Sequence, residues 1–122
     1  MPKCLSCEML EPMATHPLDA MTAAPDHHAV LFENEHVRVL DTCLAPGQQT
    51  PVHAHQWPAA LYVLSWSDFL RRDETGAVLV DSRERSAPAP GSSLWIDPLP
   101  PHFVENIGAT DLHILAVEVK GT

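Results

Sequence analysis

The 122-residue sequence has few positive charges, few aromatic side chains and no long apolar segment. Seven lysines and arginines against sixteen aspartates and glutamates give a formal net charge of −9, which argues against binding of DNA, RNA or an anionic membrane surface. No apolar run approaches the roughly 20 residues of a membrane-spanning helix. The first twelve residues lack the charged start and long apolar core of a secretory signal. We therefore expect a protein whose partners are neither nucleic acids nor membranes.

Cysteine is also scarce, with three residues in the chain. Three cysteines cannot all pair with one another, so a reducing cytoplasm is the expected compartment. Cys4 and Cys7 form a lone CxxC with no second pair nearby, which is weak support for a zinc or redox site. We interpret them as part of an N-terminal arm. The sequence also contains neither a Ser-His-Asp order nor a glycine-rich phosphate-binding loop.

Short strand-like segments follow one another after residue 25, and no convincing long helix is present. Apolar runs rich in valine, leucine and isoleucine are separated by turn signals such as Ala45-Pro-Gly47 and the loop Asp73–Gly76. About eight strands at such spacing indicate an all-β sandwich or barrel. We predict one β domain over residues 26–122. Residues 1–25 lack this pattern and are predicted to form an arm that packs on the β domain or on a partner subunit.

Two histidines two residues apart are the main candidates for chemistry. His53 and His55 fall on a predicted strand, where side chains two apart project from the same face. A third imidazole from another strand, His102, would complete a divalent metal site. Three neutral imidazoles would leave the metal its full positive charge, with open positions for water, substrate or dioxygen. Because the chain has eight histidines, a chance pair is the alternative interpretation.

The same residues resemble the two motifs of the cupin superfamily. Gly47, five residues and then His53-x-His55 resemble the start of the first motif, Gly-x5-His-x-His-x3-4-Glu. His102-x3-Asn106 resembles the end of the second motif, Pro-x-Gly-x2-His-x3-Asn. The resemblance runs over about residues 31–120, which is nearly all of the chain after the arm. It implies a double-stranded β-helix, or jelly roll, with a metal ion inside the mouth of the barrel.

Two positions depart from the motifs. The glutamate of the first motif should fall on Ala59 or Ala60, and both are apolar. The Pro-x-Gly of the second motif falls on Asp97 and Leu99, so a proline-rich turn is expected there instead. The resemblance therefore implies a three-histidine variant of the site. Gln49, in the loop before the histidine pair, is the candidate for a fourth ligand through its neutral oxygen.

The resemblance also implies an activity. Three-histidine ferrous dioxygenases of the superfamily oxidise thiols or cleave diketones, and the whole pattern is similar to small bacterial cupins linked to amino-acid and amine catabolism. One Fe(II) per chain is the preferred cofactor, with zinc, nickel and manganese as the other candidates. Two further functions stay open: a non-oxidative metal enzyme (isomerase, lyase or hydrolase) and a non-catalytic cupin that binds a small molecule. A homodimer is expected, because pairing would cover an exposed edge strand.

Several other side chains are candidates for the surroundings of the metal. Asn106 lies four residues after His102, on the same face of a regular strand, where it could orient a ligand imidazole or cap a backbone group. Aromatic residues supply pocket walls, although each is more often part of a core. The aromatic candidates are Trp57, Tyr62, Trp66, Trp95 and Phe103. Trp57 is preferred because it directly follows the histidine pair at a bend of the chain.

Two groups of residues are interpreted as surface. His27, His28 and His36 lie near the start of a strand and are predicted to be surface positions. Arg71 and Arg72, beside the hairpin loop, are predicted to form a solvated patch, from which one of them could contact an anionic substrate.

Overall fold

The computed structural model describes residues 17–121, whose strands form two antiparallel sheets. A short helix, α1 (Ala20–Ala23), precedes the strands. The strands are β1 (His28–Glu33), β2 (Val37–Leu44), β3 (His53–His55), β4 (Ala59–Ser65), β5 (Phe69–Asp73), β6 (Val78–Asp81), β7 (Ser93–Ile96), β8 (Leu99–Asn106) and β9 (Leu112–Val119). The first sheet has the order β1-β2-β9-β4-β7 and the second β3-β8-β5-β6. The predicted all-β fold is confirmed.

The two sheets bury apolar side chains between them. Side chains alternate along each strand, so every second residue points inward. On β2 these include Leu40 and Leu44, and on β9 Leu112 and Ala116, all of which are buried. Val30 of β1 packs with Leu40 in the same core cluster. Among the described residues, no helix is long and apolar enough to span a membrane.

The described part of the predicted arm packs on the β domain. Ala20 and Ala24 are fully buried, and α1 contacts β1 and β3. The backbone N–H of Ala54 in β3 donates to the carbonyl of Leu18 at 2.6 Å. Residues 17–25 therefore support the strand that carries the histidine pair. Cys4 and Cys7 lie outside the described residues.

Strand β8 differs from the prediction at its start. The proline-rich turn expected over Asp97–Pro101 ends earlier, because β8 already begins at Leu99. His53 pairs with His102 and His55 with Leu99, so Pro100 and Pro101 face a single residue of β3 in an irregular register. Proline lacks the N–H of a regular ladder and is tolerated at such bulges. The register places His53 directly opposite His102.

Asn106, at the end of β8, joins separate loops of the fold. Its side-chain oxygen accepts hydrogen bonds from Ser67 Oγ (2.7 Å) and the Gly108 N–H (2.9 Å). Its side-chain nitrogen donates to the carbonyls of Leu44 (2.8 Å) and Thr110 (2.9 Å). These four bonds use the whole amide, which contacts none of the histidines. The prediction that Asn106 orients a ligand imidazole is therefore corrected: it caps backbone groups, the alternative left open above.

We expect Asn106→Ala to destabilise the protein by about 2 kcal/mol or more, because buried groups that lose their partners cost about 1–3 kcal/mol each. Chemical unfolding measures this loss. Asn34→Ala is the matched control, since Asn34 is exposed and its side chain accepts from the backbone of a turn. The control should lose about 1 kcal/mol or less. An Asn106 variant with unchanged stability and weakened metal binding would contradict the structural role.

Candidate metal centre

Four histidine side chains from both sheets meet between the sheets. The rings of His53 and His102, which face each other across β3 and β8, have centroids 4.5 Å apart. The ring of His55 lies 5.0 Å from that of His53 and 5.6 Å from that of His102. The fold thus brings together the three histidines predicted from the sequence. His28 of β1 joins them, with its ring 4.9 Å from His53 and 5.6 Å from His55.

His28 is the member of this cluster that sequence reasoning missed. It was expected on the surface, but it is only 4% exposed. One ring nitrogen each of His28, His53 and His55 lies within 4.8 Å of the others, which is close enough to share a metal ion. The available signal was its spacing from Val30, because residues two apart on a strand share a face. That β1 faces β3 across the cavity could not be read from spacing.

Hydrogen bonds fix the tautomer of three of these rings. In each, Nδ1 lies within hydrogen-bond distance of a backbone carbonyl, which can only accept, so Nδ1 carries the proton and Nε2 keeps its lone pair. These bonds join His28 to Ala24 (2.9 Å), His53 to Pro51 (2.9 Å) and His102 to Pro100 (2.8 Å). Among residues 17–121, no hydrogen bond occupies an Nε2 atom of the cluster. Free Nε2 lone pairs are the donor atoms that metal ions bind.

Three of these histidines, His28, His53 and His102, are also held in the neutral form. Burial lowers the pKa of His53 to about 4. Burial, followed by the neighbouring charge of His53, lowers the pKa of His102 to about 3. The same two causes, in the same order, keep the pKa of His28 well below its ordinary value. At neutral pH these imidazoles are therefore uncharged, which is the form that coordinates a metal ion.

The fourth ring, His55, is oriented by a buried chain of charges. Its Nδ1 lies 3.2 Å from Oε2 of Glu118, a carboxylate that is 1% exposed. The other oxygen of Glu118 accepts from Nε of Arg38 at 2.6 Å. The terminal nitrogens of Arg38 donate to both oxygens of Asp19, at 2.9 and 3.0 Å. His55 is thus tied through β9 and β2 to the residue that precedes α1.

A cavity of about 380 Å³ lies beside the cluster, and all four histidines line it. Its wall is mainly apolar and comes from both sheets. The aromatic side chains in the wall are Trp57, Trp66, Phe69 and Trp95. Charged side chains also line it: Arg71, Arg85, Asp97 and Glu118. The indole N–H of Trp66 is buried and has no acceptor among the described residues.

Solved structures similar to this chain identify the architecture. A cupin domain from Bordetella pertussis superposes with a TM-score of 0.61, at 22% identity, over 77% of this chain and 92% of that chain. A protein with a double-stranded β-helix domain from Klebsiella pneumoniae gives 0.54, at 19% identity, over 95% of this chain and 87% of that chain. An RmlC-like cupin from Methanocaldococcus jannaschii gives 0.53, at 17% identity, over 75% and 77%.

The chain has the cupin fold. The double-stranded β-helix implied by the sequence motifs is confirmed. No protein-family model and no functionally described protein matched the sequence. At these identities, the similarity to the solved structures concerns the fold alone.

A carboxylate lies beside the position at which this chain lacks the glutamate of the first cupin motif. Ala59 occupies the position of the motif glutamate, and its direct partner on β9 is Glu118. Both residues line the cavity, so the neighbouring strand brings a carboxylate to the place where β4 has a methyl group. Sequence reasoning missed Glu118. The available signal was its place at the end of the inward-facing series Leu112, Ile114 and Ala116.

Three predicted site residues lie elsewhere. Tyr62 is 44% exposed and lies outside the cavity wall, because β4 turns Leu61 and Val63 inward and Tyr62 outward. Phe103 follows His102 on β8 and therefore projects from the opposite face, away from the cavity. Gln49 is exposed and forms a backbone bridge with Glu105, so it does not reach the histidines.

The aromatic candidates that do line the cavity are Trp57, Trp66 and Trp95. Arg38 lies over the Trp57 ring at 5.1 Å, and Lys120 lies 5.2 Å from the centre of the same ring. These contacts fix Trp57 beside the charge chain that reaches His55. Trp95 is 60% exposed on the edge strand β7, so it contributes to the wall from the rim.

The residues present fit a divalent metal ion. Neutral imidazole nitrogens suit iron, zinc, nickel and manganese in differing degrees, so the donor set indicates a divalent metal without selecting one. The Nδ1 atom of each ring lies within hydrogen-bond distance of a carbonyl or a carboxylate. Metal-binding histidines usually have such a partner on the nitrogen that does not bind the metal. With imidazole nitrogens as donors, the charge of the ion would be offset mainly by Glu118 behind His55.

We expect the metal-free protein to lose stability as pH falls from about 6.5 to 4. The unfolded chain takes up histidine protons near pH 6.5, whereas His53 does so only near 4 and His102 near 3 in the folded state. Because the unfolded state binds more protons in this range, the free energy of unfolding should fall by up to about 1.4 kcal/mol per pH unit for each histidine.

Urea unfolding at a series of pH values measures this slope. His102→Gln should reduce it, because the unfolded chain then has one histidine fewer to protonate in this pH range. His36→Gln is the control, since His36 is exposed and lies outside the cluster. A flat stability profile between pH 6.5 and 4 would contradict the neutral buried cluster.

Proposed function

We propose that this cupin-fold chain binds one divalent metal ion through His53, His55 and His102 and acts as a metal-dependent oxidoreductase. The proposed activity resembles that of three-histidine ferrous dioxygenases on a small molecule such as a thiol, a diketone or an amino-acid or amine catabolite. The observation that carries this proposal is the cluster of imidazoles between the sheets, whose Nε2 atoms accept no hydrogen bond within residues 17–121 and which lines a mainly apolar cavity. In a purely structural cluster of histidines, we would expect the Nε2 atoms to accept hydrogen bonds and the space beside them to be filled by side chains.

We include His28 as a fourth imidazole of this centre. Its ligand nitrogen lies within 4.8 Å of those of His53 and His55, and its Nδ1 is held by the Ala24 carbonyl like the other rings. His28 begins β1, and α1, which precedes it, contacts both β1 and β3. An extra imidazole from β1 would strengthen metal binding where the first motif supplies Ala59 instead of glutamate.

Each part of the site has a separate task in this proposal. A bound ferrous ion would supply a Lewis acid that polarises a coordinated substrate and promotes its reaction with dioxygen. Glu118 holds His55 through Nδ1 and keeps its Nε2 directed away from the carboxylate. The apolar wall limits water at the centre and leaves about 380 Å³ for a small substrate. Iron is the preferred ion, with zinc, nickel and manganese as alternatives.

Metal analysis by mass spectrometry on protein made without a histidine tag tests the proposal. We expect about one iron per chain in the wild type and in the control His36→Ala, whose histidine is exposed. His53→Ala and His102→Ala should lose most of the metal, and His28→Ala should bind it at least tenfold more weakly. Oxygen consumption should then be screened with thiols and diketones.

The metal found also separates the proposed function from its alternatives. Zinc, nickel or manganese at one equivalent, with turnover in the absence of oxygen, would move the function to a non-oxidative isomerase, lyase or hydrolase. Failure to bind any of these metals after reconstitution would contradict the metal centre. A small molecule that stabilises such a protein without being converted would indicate a binding cupin.

The predicted assembly and compartment also remain proposals. Exposed apolar side chains on the outer face of the first sheet are a surface that a second copy would cover. They include Phe32, Tyr62, Leu64 and Val119. Light scattering at micromolar concentration should give the mass of a homodimer, and a monomer mass would contradict it. The cytoplasmic location is proposed because the three cysteines of the sequence cannot all pair with one another.

A further inference from the structure

We propose that Arg71 is the anion-binding group of the cavity and that the substrate is a small organic acid. Its carboxylate would bind the Arg71 guanidinium, and its apolar body would extend along the wall towards the histidines. The inference rests on the proposed function only in making this acid the substrate, because the Arg71 subsite itself is present without a metal ion. It replaces the expectation that Arg71 and Arg72 form one solvated patch.

Neighbouring arginines on β5 have opposite surroundings. Arg72 projects outward, where Nη1 donates to the Gly76 carbonyl at 3.0 Å and Nη2 lies 3.8 Å from a Glu105 carboxylate oxygen. Arg71 projects inward and lines the cavity, as does its partner Val104 on β8. Because side chains alternate along a strand, Arg72 lies on the outer face with polar partners and Arg71 faces the interior.

Arg71 has no partner for its charge. Within the described part of the chain, its guanidinium makes no hydrogen bond or ion pair, although it is partly buried. The buried Arg38 has two carboxylates, and the exposed Arg83 has Asp81. Burial, together with the nearby charge of Arg85, lowers the pKa of Arg71 below its ordinary value. A partly buried cation without a counter-ion is costly, so a bound anion would relieve an existing penalty.

The position of Arg71 links this subsite to the candidate metal centre. On β8, Val104 lies opposite Arg71, and His102 is two residues from Val104 on the same face. One small molecule could therefore contact Arg71 at one end and approach the histidine cluster at the other.

The wall around Arg71 favours a carboxylic acid with an apolar body. A guanidinium fork matches the two oxygens of a planar carboxylate. Val80 and Val104, the two strand partners of Arg71, are apolar, and the rest of the cavity wall is mainly apolar, although the charged Arg85 also lines it. Trp66, whose ring lies 5.5 Å from that of Phe69, also lines the cavity. One unpaired guanidinium in a mainly apolar wall indicates a ligand that carries its oxygen acceptors at one end.

Isothermal titration of the metal-free protein with benzoate and with benzamide tests this subsite. Benzoate has the carboxylate and benzamide is its neutral counterpart of similar shape. We expect benzoate to bind at least tenfold more tightly than benzamide. Arg71→Met should weaken benzoate binding at least tenfold and leave benzamide unchanged. Arg72→Met, the matched control on the outer face, should stay within twofold of the wild type for both.

The subsite would be overturned if benzoate does not bind, if benzamide binds equally well, or if Arg71→Met retains wild-type affinity. If Arg72→Met lost as much benzoate affinity as Arg71→Met, the subsite would be overturned as well, because the effect would then come from the net charge of the protein. Tighter binding of inorganic phosphate than of benzoate would overturn the assignment to carboxylates. Thermal unfolding shows whether Arg71→Met is folded; we expect an equal or higher melting temperature, since an unpaired charge is removed.

Metal content measured on the same samples separates the two proposals. Arg71-dependent benzoate binding in a protein that takes up no metal would support the anion subsite and contradict the metal centre. One metal per chain without Arg71-dependent benzoate binding would support the metal centre and contradict the anion subsite. Arg71→Met should bind metal like the wild type, because Arg71 contacts none of the proposed ligands.

Discussion

The buried guanidinium of Arg38 connects the fold to the site. It is 2% exposed and binds Asp19, which precedes α1, and Glu118 of β9. Through Glu118 the same contact reaches His55. Removing one partner of a buried ion pair typically costs about 3–5 kcal/mol, because the remaining charge has no counter-ion. The segment before β1, the last strand and a candidate metal ligand therefore depend on one side chain.

The cavity wall holds imidazole donors for a metal ion at one place and the charged guanidinium of Arg71 at another. Burial keeps His28, His53 and His102 uncharged, and the Nδ1 atoms of the four rings lie beside backbone carbonyls or Glu118. On the same wall, Arg71 retains a positive charge that no described residue offsets. A site of this kind offers a substrate two different contacts, one through metal coordination and one through an ion pair. The apolar surface between them strengthens both, because little water screens them.

Local periodicity was sufficient for much of the fold and for part of the site. The alternation of apolar runs and turn signals indicated the all-β class, and the spacing of His53 and His55 put both on one strand. The same reasoning failed for Tyr62 and Phe103, where the direction of each side chain depends on which face of its strand meets the other sheet. Asn106 was placed on the expected strand, but its partners come from loops that spacing does not relate to it.

The sequence by itself determined the all-β class, the histidine pair and its distant partner His102, because alternation along a strand is a property of the local backbone. Only the tertiary structure decided that His28 joins the cluster, that Glu118 stands beside Ala59, and that Arg71 and not Arg72 faces the cavity. These three outcomes depend on the register of β9 against β4 and on the packing of one sheet over the other. Register and packing are settled by contacts between residues far apart in the chain, which no local pattern records.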